Sequence, residues 1–305
     1  MMKRIRRMPD SAAASEGRRH ALRQAAGLLL AGLAAPVRAQ GAGATIRIGT
    51  TAVILNDQVS FLDEWARYLR TQIRRPVAFV HRNSYREITE LLLGDKLDFA
   101  WVCGYPYVRH RQAMRLLAVP LYQRRPLYRS YLIVASSDPR SSSFADLKGR
   151  IFAYSDPNSN SGYLVPQYEM LRAGLDPLAL FQKSFFTYAH GKVVAAVAKG
   201  IAHGGAVDGY VWETLSLRNP ELTRRTRIAA KSDEYGFPPL VARRSIDEAE
   251  FRGMQRVLTG MPDNPAGRSL LKQLNLDGFA LPEERLFDGI SKILAYVSTR
   301  QRLVS

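Results

Sequence analysis

The sequence contains a single cysteine, Cys103, among its 305 residues. One thiol cannot close an internal disulfide, and no group of cysteines and histidines stands at metal-ligand spacing around it. We therefore expect a chain without disulfides, metal ions or cofactors. Cys103 lies within the apolar segment "FAWVCGY", where a thiol is expected to be a small buried hydrophobic residue rather than a nucleophile.

Long apolar runs are also missing after the first 40 residues, so no membrane-spanning helix of ~20 apolar residues is expected there. The shorter apolar run "AAGLLLAGLAAP" follows the basic segment Met1 to Arg23 and precedes "VRAQ". This order is typical of an export signal cleaved after Ala39. "RRHAL" resembles a twin-arginine signal, although "KRIRR" upstream could supply the charge of an ordinary one. Residues 1–39 are predicted to be a signal peptide, and with no cysteine at the cut no lipid anchor is expected.

Acidic residues are fewer than basic ones: the sequence has 27 Asp and Glu and 44 Lys and Arg, which gives a net charge of +17. Residues 1–39 hold eight basic and two acidic residues, a net of +6, and 17 − 6 leaves +11 for the remainder. A field of that sign attracts anions. It can also indicate nucleic acid, but the basic residues are scattered in short pairs and no DNA- or RNA-binding motif surrounds them. We predict a solvated basic surface and no nucleic-acid partner.

Neither an internal repeat nor a low-complexity linker follows the signal, and the chain instead alternates between two apolar patterns. Short β-branched and aromatic runs predict strands, whereas longer amphipathic runs predict helices. The predicted strands are "TIRIGTTAV", "PVAFVHR", "LDFAWVCG", "RLLAVPLY", "YRSYLIVAS", "GRIFAYS", "SFFTYA" and "GGAVDGYV". The predicted helices are "VSFLDEWARYLRTQI", "YREITELLLGD", "SGYLVPQYEMLRAGL", "KVVAAVAKGI", "DEAEFRGMQRVLTGM" and "PEERLFDGISKILAYVSTRQ". Strands that alternate with helices favour an α/β fold with parallel sheets covered on both faces.

Two regions with this alternation predict two lobes. An outer lobe would comprise residues 44–134 and resume at 240–305, and an inner lobe would comprise 137–236. The chain would cross twice between the lobes, near "IVASSD" and "GFPPLVA", which makes a hinge with a cleft beside it. Ligands of open α/β sheets bind beyond the carboxyl ends of the strands, where "AWVCGYPY" and "AYSDPNSNSG" lie.

The segment "YSDPNSNSGYLVP", residues 154–166, gathers short hydrogen-bonding side chains where a helix is predicted to begin near Ser161. The first turn of a helix leaves four N–H groups unpaired and the helix dipole adds positive potential, so the two together form an anion site. Ser159, Asn160 and Ser161 would add donors, and Gly162 would allow an anion close to the backbone. One of the serines could instead be a simple N-cap worth ~1 kcal/mol.

Within this segment, "DPNSNSGYLVP" resembles the pattern DPxSTSGxLxP of periplasmic ABC-transporter binding proteins for phosphonate, phosphite and phosphate. Three further segments resemble parts of the same family in the same order, namely "KLDFAWVCGYPYV", "LYRSYLIV" and "AHGKVVAAVAKGIAHGGAVD". The resemblance covers nearly all of the chain after the signal. It implies a two-lobe, type 2 periplasmic-binding-protein fold whose cleft closes on its ligand.

The resemblance also implies a set of ligand-binding side chains, with two tyrosines, at 85 and 128, reaching from the outer lobe. The set is Ser159, Asn160, Ser161, His190, Tyr85, Tyr128, Tyr107 and Asp208. His190 could instead be only the first residue of a helix, Tyr85 a packing residue at a helix start, and Tyr128 a strand residue with an exposed hydroxyl group. Asp208 could accept a hydrogen bond from a protonated ligand oxygen or cap the helix that follows, and Glu213 is expected to be solvated.

The sequence departs from the family pattern at several positions. Asn160 stands where threonine is usual, which keeps a donor but adds bulk. Tyr210 and Pro238 stand where binders of amino-phosphonates have carboxylates for the ligand ammonium group. Since a buried ammonium group without a carboxylate is costly, a ligand with an uncharged substituent, or with none, is favoured. The segment "CGYPYV" differs from the family's Gly-Pro-x-Ser-Tyr, so contacts from that loop stay open.

These observations favour a monomeric receptor that passes a small oxyanion to an ABC permease in the inner membrane, with no bond made or broken. The same fold could instead present a different small ligand to a membrane sensor, such as a sensor kinase, or to a transporter. A hydrolase is a third hypothesis, since Ser159 or Ser161 with His190 and Asp208 would supply a nucleophile, a base and an orienting acid. No G-x-S-x-G elbow is present, and the serines already have a binding explanation.

Overall fold

The structure is a computed structural model that describes residues 44–51 and 59–302. The predicted signal peptide lies outside the described residues. The strands are β1 (Ile46–Thr50), β2 (Val77–His81), β3 (Phe99–Trp101), β4 (Met114–Leu121), β5 (Leu127–Ala135), β6 (Ile151–Tyr154), β7 (Lys183–Phe186), β8 (Gly204–Asp208), β9 (Thr226–Gly236), β10 (Leu240–Arg243) and β11 (Gly278–Ala280). The helices are α1 (Val59–Ile73), α2 (Tyr85–Leu93), α3 (Gly104–His110), α4 (Val165–Arg172), α5 (His190–Ala198), α6 (Gly209–Arg218), α7 (Pro220–Thr223), α8 (Glu248–Thr259), α9 (Pro265–Leu274) and α10 (Asp288–Arg302).

The strands form two sheets, and we call the part of the molecule built on each one the first-sheet half and the second-sheet half. The first sheet has six strands in the order β11-β4-β10-β3-β1-β2, and the second has five in the order β7-β6-β8-β5-β9. β1 is parallel to β2 and β3, and β6 is parallel to β7 and β8. β5 is antiparallel to β8 and β9, and β4 is antiparallel to β10 and β11. The α/β prediction is confirmed. Parallel pairing holds for β1 with β2 and β3 and for β6 with β7 and β8, but the sheets are mixed, because β4, β5, β9 and β10 flank the crossings between the sheets and lack the helical crossover that parallel neighbours require.

The chain passes between the sheets twice, between Leu121 and Leu127 and again between Gly236 and Leu240. The second passage lies within the predicted "GFPPLVA". The first lies earlier than predicted, because β5, which includes "IVA", pairs with β8 and β9 instead of with the first sheet. Tyr128 therefore lies on the second sheet, which corrects the expectation that it reaches from the outer lobe. The limits of the two lobes as separate bodies stay a prediction.

Both faces of the second sheet are covered. Leu132 and Val134 of β5 point into one apolar cluster, whereas Tyr131 and Ile133 point into another on the opposite face. This alternation is the period of two that an extended strand imposes on its side chains. α5 packs on the second cluster through Val193. The apolar side of the predicted helix "KVVAAVAKGI" therefore faces the sheet, as expected for an amphipathic helix.

The first sheet is packed around an aromatic group centred on Trp65 of α1. The ring of Trp65 lies 5.2 Å from that of Phe79 and 6.1 Å from that of Trp101, centre to centre, with Phe279 at 6.5 Å. Trp65 is buried, and its Nε1 has no acceptor among the described residues. The Nε1 of Trp101, in contrast, donates to the carbonyl oxygen of Pro238 at 2.9 Å.

Several observed elements, among them β9 and α9, are not indicated by the sequence patterns. β9 carries Lys231, Ser232 and Asp233 in its middle and lies at the edge of its sheet, so it lacks the continuous apolar run of a central strand. α9 begins after Asn264, whose side chain accepts the N–H groups of Ala266 and the residue that follows it. Such local capping carries less signal in the sequence than a long amphipathic run does.

Replacing Trp65 by alanine is expected to lower the free energy of unfolding by about 3–5 kcal/mol, as for other large buried aromatic residues. Trp65→Phe should cost much less, because it keeps most of the ring packing and removes an N–H that has no acceptor. Urea unfolding of the unliganded protein measures both. Trp101→Phe is the matched control and should cost more than Trp65→Phe, since it leaves a buried carbonyl oxygen without its donor; the opposite order would contradict this account.

Candidate functional site

The carboxyl ends of three strands lead into the predicted site segments. β6 ends at Tyr154 and continues into residues 155–162, which we call the serine turn. β8 ends at Asp208, and β3 is followed by Cys103 at the start of α3. The carboxyl ends of sheet strands are where ligands of α/β proteins bind, and here those ends meet at the seam between the two halves.

The serine turn starts its helix in an unusual way. Residues Asn160–Leu164 form one π-helical turn before α4 continues the helix, and such turns are frequent at functional sites. Ser159 is the N-cap, because its Oγ accepts the N–H of Gly162 at 2.9 Å. The capping interpretation therefore holds for Ser159, whose hydroxyl hydrogen is still available to a further acceptor.

Gly162 is required by a close approach within the turn. Its carbonyl oxygen accepts the N–H of Ser155 at 3.3 Å, and a Cβ at position 162 would lie 1.8 Å from Ser155 Oγ. A side chain there would collide with Ser155. This close approach is sufficient to explain the glycine, and the expectation that Gly162 also allows an anion near the backbone stays a prediction.

His190 begins α5 and is buried. Its Nδ1 accepts the backbone N–H of Asp208 at 3.0 Å. A backbone amide nitrogen can only donate, so Nδ1 carries no hydrogen and Nε2 carries the single hydrogen of a neutral imidazole. Burial lowers the pKa of His190 to about 3, which keeps the ring neutral. His190 therefore presents a neutral N–H, and Tyr85 Oη lies 3.2 Å from it.

Tyr85 links the two halves of the molecule. Its hydroxyl oxygen receives the N–H of His190, so the hydroxyl hydrogen can donate elsewhere. Tyr85 is also the first residue of α2, and its backbone N–H donates to Asp156 Oδ2 at 3.1 Å. Asp156 lies in the serine turn and is a site residue that the sequence predictions missed; the carboxylate directly after a buried strand is the signal that could have found it.

Asn160 makes contacts on both sides of the seam. Its backbone N–H donates to Cys103 Sγ at 3.2 Å, and its Nδ2 donates to Tyr128 Oη at 3.0 Å. Its Oδ1 has no partner among the described residues. Cys103 is buried, and burial raises the pKa of its thiol to about 11. The sulfur is a neutral acceptor here and lacks the thiolate character of a nucleophile.

Ser161 has a fixed backbone and a free hydroxyl group. Its carbonyl oxygen accepts a hydrogen bond from Ser130 Oγ at 2.6 Å. Its Oγ is buried and, like Ser155 Oγ, has no partner among the described residues. Buried polar atoms in folded proteins nearly always have a partner, so an unpaired hydroxyl group beside other inward donors marks a place for a bound acceptor.

Five side chains thus form what we call the polar cluster, and each is at most 4% exposed. Its members are Tyr85, Tyr128, Asn160, Ser161 and His190. Burial raises the pKa of both tyrosines, which keeps them as hydroxyl donors. No lysine or arginine is among the buried residues of the described part of the chain. The buried charged groups are two carboxyl groups, Asp156 and Asp208, and burial raises the pKa of each, that of Asp208 to about 7.

Asp208 is an N-cap. Its carboxyl group accepts the N–H groups of Tyr210 at 2.9 Å and Val211 at 3.4 Å, at the start of α6. This geometry supports the capping interpretation. Asp208 also acts on the polar cluster through its backbone, because its N–H holds Nδ1 of His190.

Tyr107 lies on α3, outside the hydrogen bonds of the polar cluster. Its ring packs edge-on against Phe287 with centres 4.9 Å apart. Among the described residues no hydrogen bond joins it to the cluster, so its placement favours a packing role over the predicted ligand contact.

Two residues of α6 have environments that the sequence did not indicate. Glu213 is half-buried and accepts the hydroxyl groups of Tyr122 and Tyr131, so the expectation of a solvated residue is wrong. Tyr210 is buried, donates its hydroxyl group to the carbonyl oxygen of Leu274, and packs 5.1 Å from the ring of Phe237. Both therefore tie α6 to neighbouring segments.

A surface cavity of about 640 Å³ borders the serine turn. It lies between the start of α2 and the turn, and so between the two halves. Its lining residues are Asn83, Ser84, Arg86, Glu87, Glu90, Asp156, Pro157, Asn158 and Tyr188. Asp156 lines this cavity and also accepts the backbone N–H of Tyr85, so Asp156 lies between the cavity and the polar cluster.

Two kinds of feature are not found within residues 44–51 and 59–302. No three His, Cys, Asp or Glu side chains come together there as a metal site. No helix in that range has the length and apolar character needed to cross a membrane.

Solved structures with a similar fold include binding proteins of ABC transporters and other solute-binding proteins. A binding-protein component of an ABC phosphonate transporter from Pseudomonas aeruginosa matches with a TM-score of 0.77 at 22% identity, over 83% of this chain and 86% of that one. PhnD1 from Prochlorococcus marinus, in complex with methylphosphonate, matches with a TM-score of 0.75 at 20% identity, over 83% and 98%. The periplasmic aliphatic sulphonate-binding protein SsuA from Escherichia coli gives 0.60 at 17%, over 85% and 93%. These likenesses establish the fold, and the predicted type 2 binding-protein fold is confirmed.

The family follows from the sequence. A profile of the family described as "ABC transporter, phosphonate, periplasmic substrate-binding protein" matches residues 54–286, and the chain belongs to this family. The probable ABC transporter phosphite-binding protein PhnD1 of Prochlorococcus marinus is 26% identical over 154 residues. That alignment spans 48% of this chain and 52% of the relative, about half of its length. The resemblance carried by "DPNSNSGYLVP" is thereby confirmed.

Asp208→Asn should flatten the pH dependence of stability, since asparagine caps a helix as well as aspartate does. Burial raises the pKa of Asp208 from 3.8 to about 7 in the folded protein. Its contribution to stability is therefore full below pH 4 and is lost as the pH rises towards 7. The free energy of unfolding of the wild type relative to Asp208→Asn should fall over this range by up to about 4 kcal/mol.

Urea unfolding at pH 4.5, 6 and 8 tests this pH dependence in the unliganded protein. Asp247→Asn is the matched control, because Asp247 caps α8 through the same two kinds of contact but is exposed. A difference between wild type and Asp208→Asn that stays constant with pH would show that Asp208 is not held in its neutral form.

Proposed function

We propose that this chain is the solute-binding component of an ABC importer, located in the periplasm, and that its polar cluster binds a small phosphorus oxyanion. A phosphonate, phosphite or phosphate fits this description. The observation that carries the proposal is the buried set of neutral donors from both halves, grouped around the unpaired hydroxyl group of Ser161. Membership of the phosphonate-binding family supports it, as does the methylphosphonate bound by PhnD1, a protein of the same fold.

The donor chemistry suits a tetrahedral oxyanion. Ser161 Oγ, Tyr85 Oη and Tyr128 Oη can each donate a hydroxyl hydrogen to a ligand, and His190 Nε2 donates its N–H to Tyr85 and so leaves the Tyr85 hydrogen free. Hydrogen bonds to an ionised acceptor are about twice as strong as neutral ones, and they strengthen further away from water. Neutral donors can therefore hold the ligand without a buried cation, which would itself be costly.

Entry requires the halves to separate. The polar cluster is closed off from solvent, and the bonds that Tyr85 donates to Asp156 and that Asn160 donates to Cys103 cross the seam. A ligand that contacts donors of both halves stabilises the closed form over the open one, which is a population shift. We propose that the closed monomer is the form that an ABC permease in the inner membrane recognises.

The site geometry supports binding without catalysis. In a serine hydrolase the base must accept the serine hydrogen at a free ring nitrogen, while a carboxylate orients the other nitrogen. Here Nε2 of His190 already carries a hydrogen, and the group on Nδ1 is the backbone N–H of Asp208. The carboxylate of Asp208 faces α6 instead. The residues of the hydrolase hypothesis therefore lack the roles it assigned to them.

Ser161→Ala is expected to weaken binding of methylphosphonate at least tenfold, because it removes a donor to a charged acceptor. The melting temperature of the unliganded protein should change by no more than a few degrees, since that hydroxyl group has no partner to lose. Isothermal titration calorimetry and thermal unfolding measure the two quantities.

Ser159→Ala is the matched variant, two residues earlier in the serine turn, and its expected effect differs. It removes the hydroxyl group that caps the helix by accepting the N–H of Gly162, so it should lower the free energy of unfolding by about 1 kcal/mol. Unchanged affinity in Ser161→Ala, with intact folding, would place the oxyanion elsewhere.

Methylphosphonate or phosphite should raise the melting temperature more than 2-aminoethylphosphonate does. The reason is that Tyr210 and Pro238 stand where amino-phosphonate binders have carboxylates, and the hydroxyl group of Tyr210 is already bonded to Leu274. A buried ammonium group would lack a free carboxylate there. A thermal-shift series at equal ligand concentrations ranks the three compounds, with sodium chloride as the ionic-strength control, and a larger shift with the aminoalkyl compound would contradict this proposal.

A further inference from the structure

We propose that the polar cluster selects an oxyanion that carries one negative charge and retains one hydroxyl group, such as a protonated phosphonate or hydrogenphosphite. Dianions, sulfonates and sulfate would be disfavoured. This inference rests on the proposed function and concerns which protonation state of the ligand the site accepts. Asn160 is the residue that confers the selection.

Asn160 places an acceptor among the donors. Its Nδ2 donates to Tyr128 Oη, which leaves Oδ1 as the free end of the amide, fully buried and without a partner. A carbonyl oxygen can only accept. An ionised ligand oxygen placed against it would be repelled, whereas a P–O–H group would donate to it. A threonine hydroxyl group could rotate to donate or accept, so asparagine makes this position specific.

The charges around the cluster act in the same direction. The titratable groups that face it are Tyr85, Cys103, Tyr128, Asp156, His190 and Asp208. None of them is cationic: the ring of His190 is neutral, and the only groups that can carry charge at neutral pH are the two carboxyl groups. Each further negative charge on the ligand therefore meets repulsion that no buried lysine or arginine offsets.

Sulfur oxyanions cannot meet the requirement of Asn160. A sulfonate has the shape of a phosphonate and carries a single charge, but it has no hydroxyl hydrogen at neutral pH. Its binding would leave Oδ1 of Asn160 buried without a donor. A buried polar group left unpaired in this way corresponds to roughly ten- to hundredfold in affinity, so methanesulfonate should bind more weakly than methylphosphonate by that factor.

Calorimetric titrations with methylphosphonate and methanesulfonate at pH 6 and pH 8.5 test both requirements. At pH 6 we expect methylphosphonate to bind at least tenfold more tightly than methanesulfonate. Its affinity should fall at pH 8.5, where the second ionisation of the phosphonate removes the hydroxyl hydrogen and Asp208 becomes charged. In Asp208→Asn the side chain at position 208 cannot become charged. The variant should therefore show only the part of the fall in affinity that comes from ionisation of the ligand.

Asn160→Leu, close to isosteric, removes the acceptor and should reduce the preference at pH 6 to less than threefold. Ser161→Ala is the matched control, because it removes a donor that both ligands use; it should weaken both and leave their ratio unchanged. A purely structural role of Asn160 would lower both affinities together. If Asn160→Leu does not fold, Asn160→Thr should narrow the ratio, since its hydroxyl group can donate or accept.

The outcomes separate this inference from the function on which it rests. If the wild-type protein binds both compounds equally, or methanesulfonate more tightly, Asn160 presents its N–H₂ group and the selection by protonation is overturned while an oxyanion site remains. If the wild-type protein binds neither compound and also fails to bind phosphite and phosphate, the proposed function itself is overturned.

Discussion

The hydrogen bond from the backbone N–H of Asp208 to Nδ1 of His190, 3.0 Å long, determines what the site can do. Because the amide must donate, the imidazole is held as the neutral tautomer with its hydrogen on Nε2. That N–H then orients Tyr85, whose own hydroxyl hydrogen is freed for another acceptor. A ring turned the other way would accept the hydroxyl hydrogen of Tyr85 and leave that tyrosine without a free donor. One main-chain contact at the end of β8 therefore sets the direction of the hydrogen bond between His190 and Tyr85.

The second constraint is the way the halves meet. The two passages of the chain between the sheets bring antiparallel strands side by side, and the carboxyl ends of β3, β6 and β8 face each other across the seam. The first-sheet half supplies Tyr85 and Cys103, and the second-sheet half supplies the rest of the polar groups. Bonds across the seam, such as that from Tyr85 to Asp156, exist only while the halves are together. In the proposed function, ligand binding and closure are parts of one equilibrium.

Electrostatics distinguishes this site from one that pairs an anion with a cation. The chain carries a net charge of +17, yet no lysine or arginine is among the buried residues of the described part. The positive charge lies on the surface, where it can draw anions towards the protein, whereas the interior offers hydroxyl and N–H groups. Asn160 and the carboxyl groups of Asp156 and Asp208 add acceptors to that interior, and the proposed selection by ligand protonation rests on them.

The sequence by itself determined the α/β alternation, the extent of helices such as α1, and the family, because apolar period and a short motif are local properties of the chain. Only the tertiary structure decided which sheet holds Tyr128, that the close approach of Ser155 requires Gly162, and that Glu213 binds two tyrosines. It also revealed Asp156 as the link to α2 and left Tyr107 in a packing position. Except for the contact of Ser155 with Gly162 inside one turn, each of these depends on a partner distant in the sequence, and sequence patterns carry information about neighbours along the chain rather than across a seam.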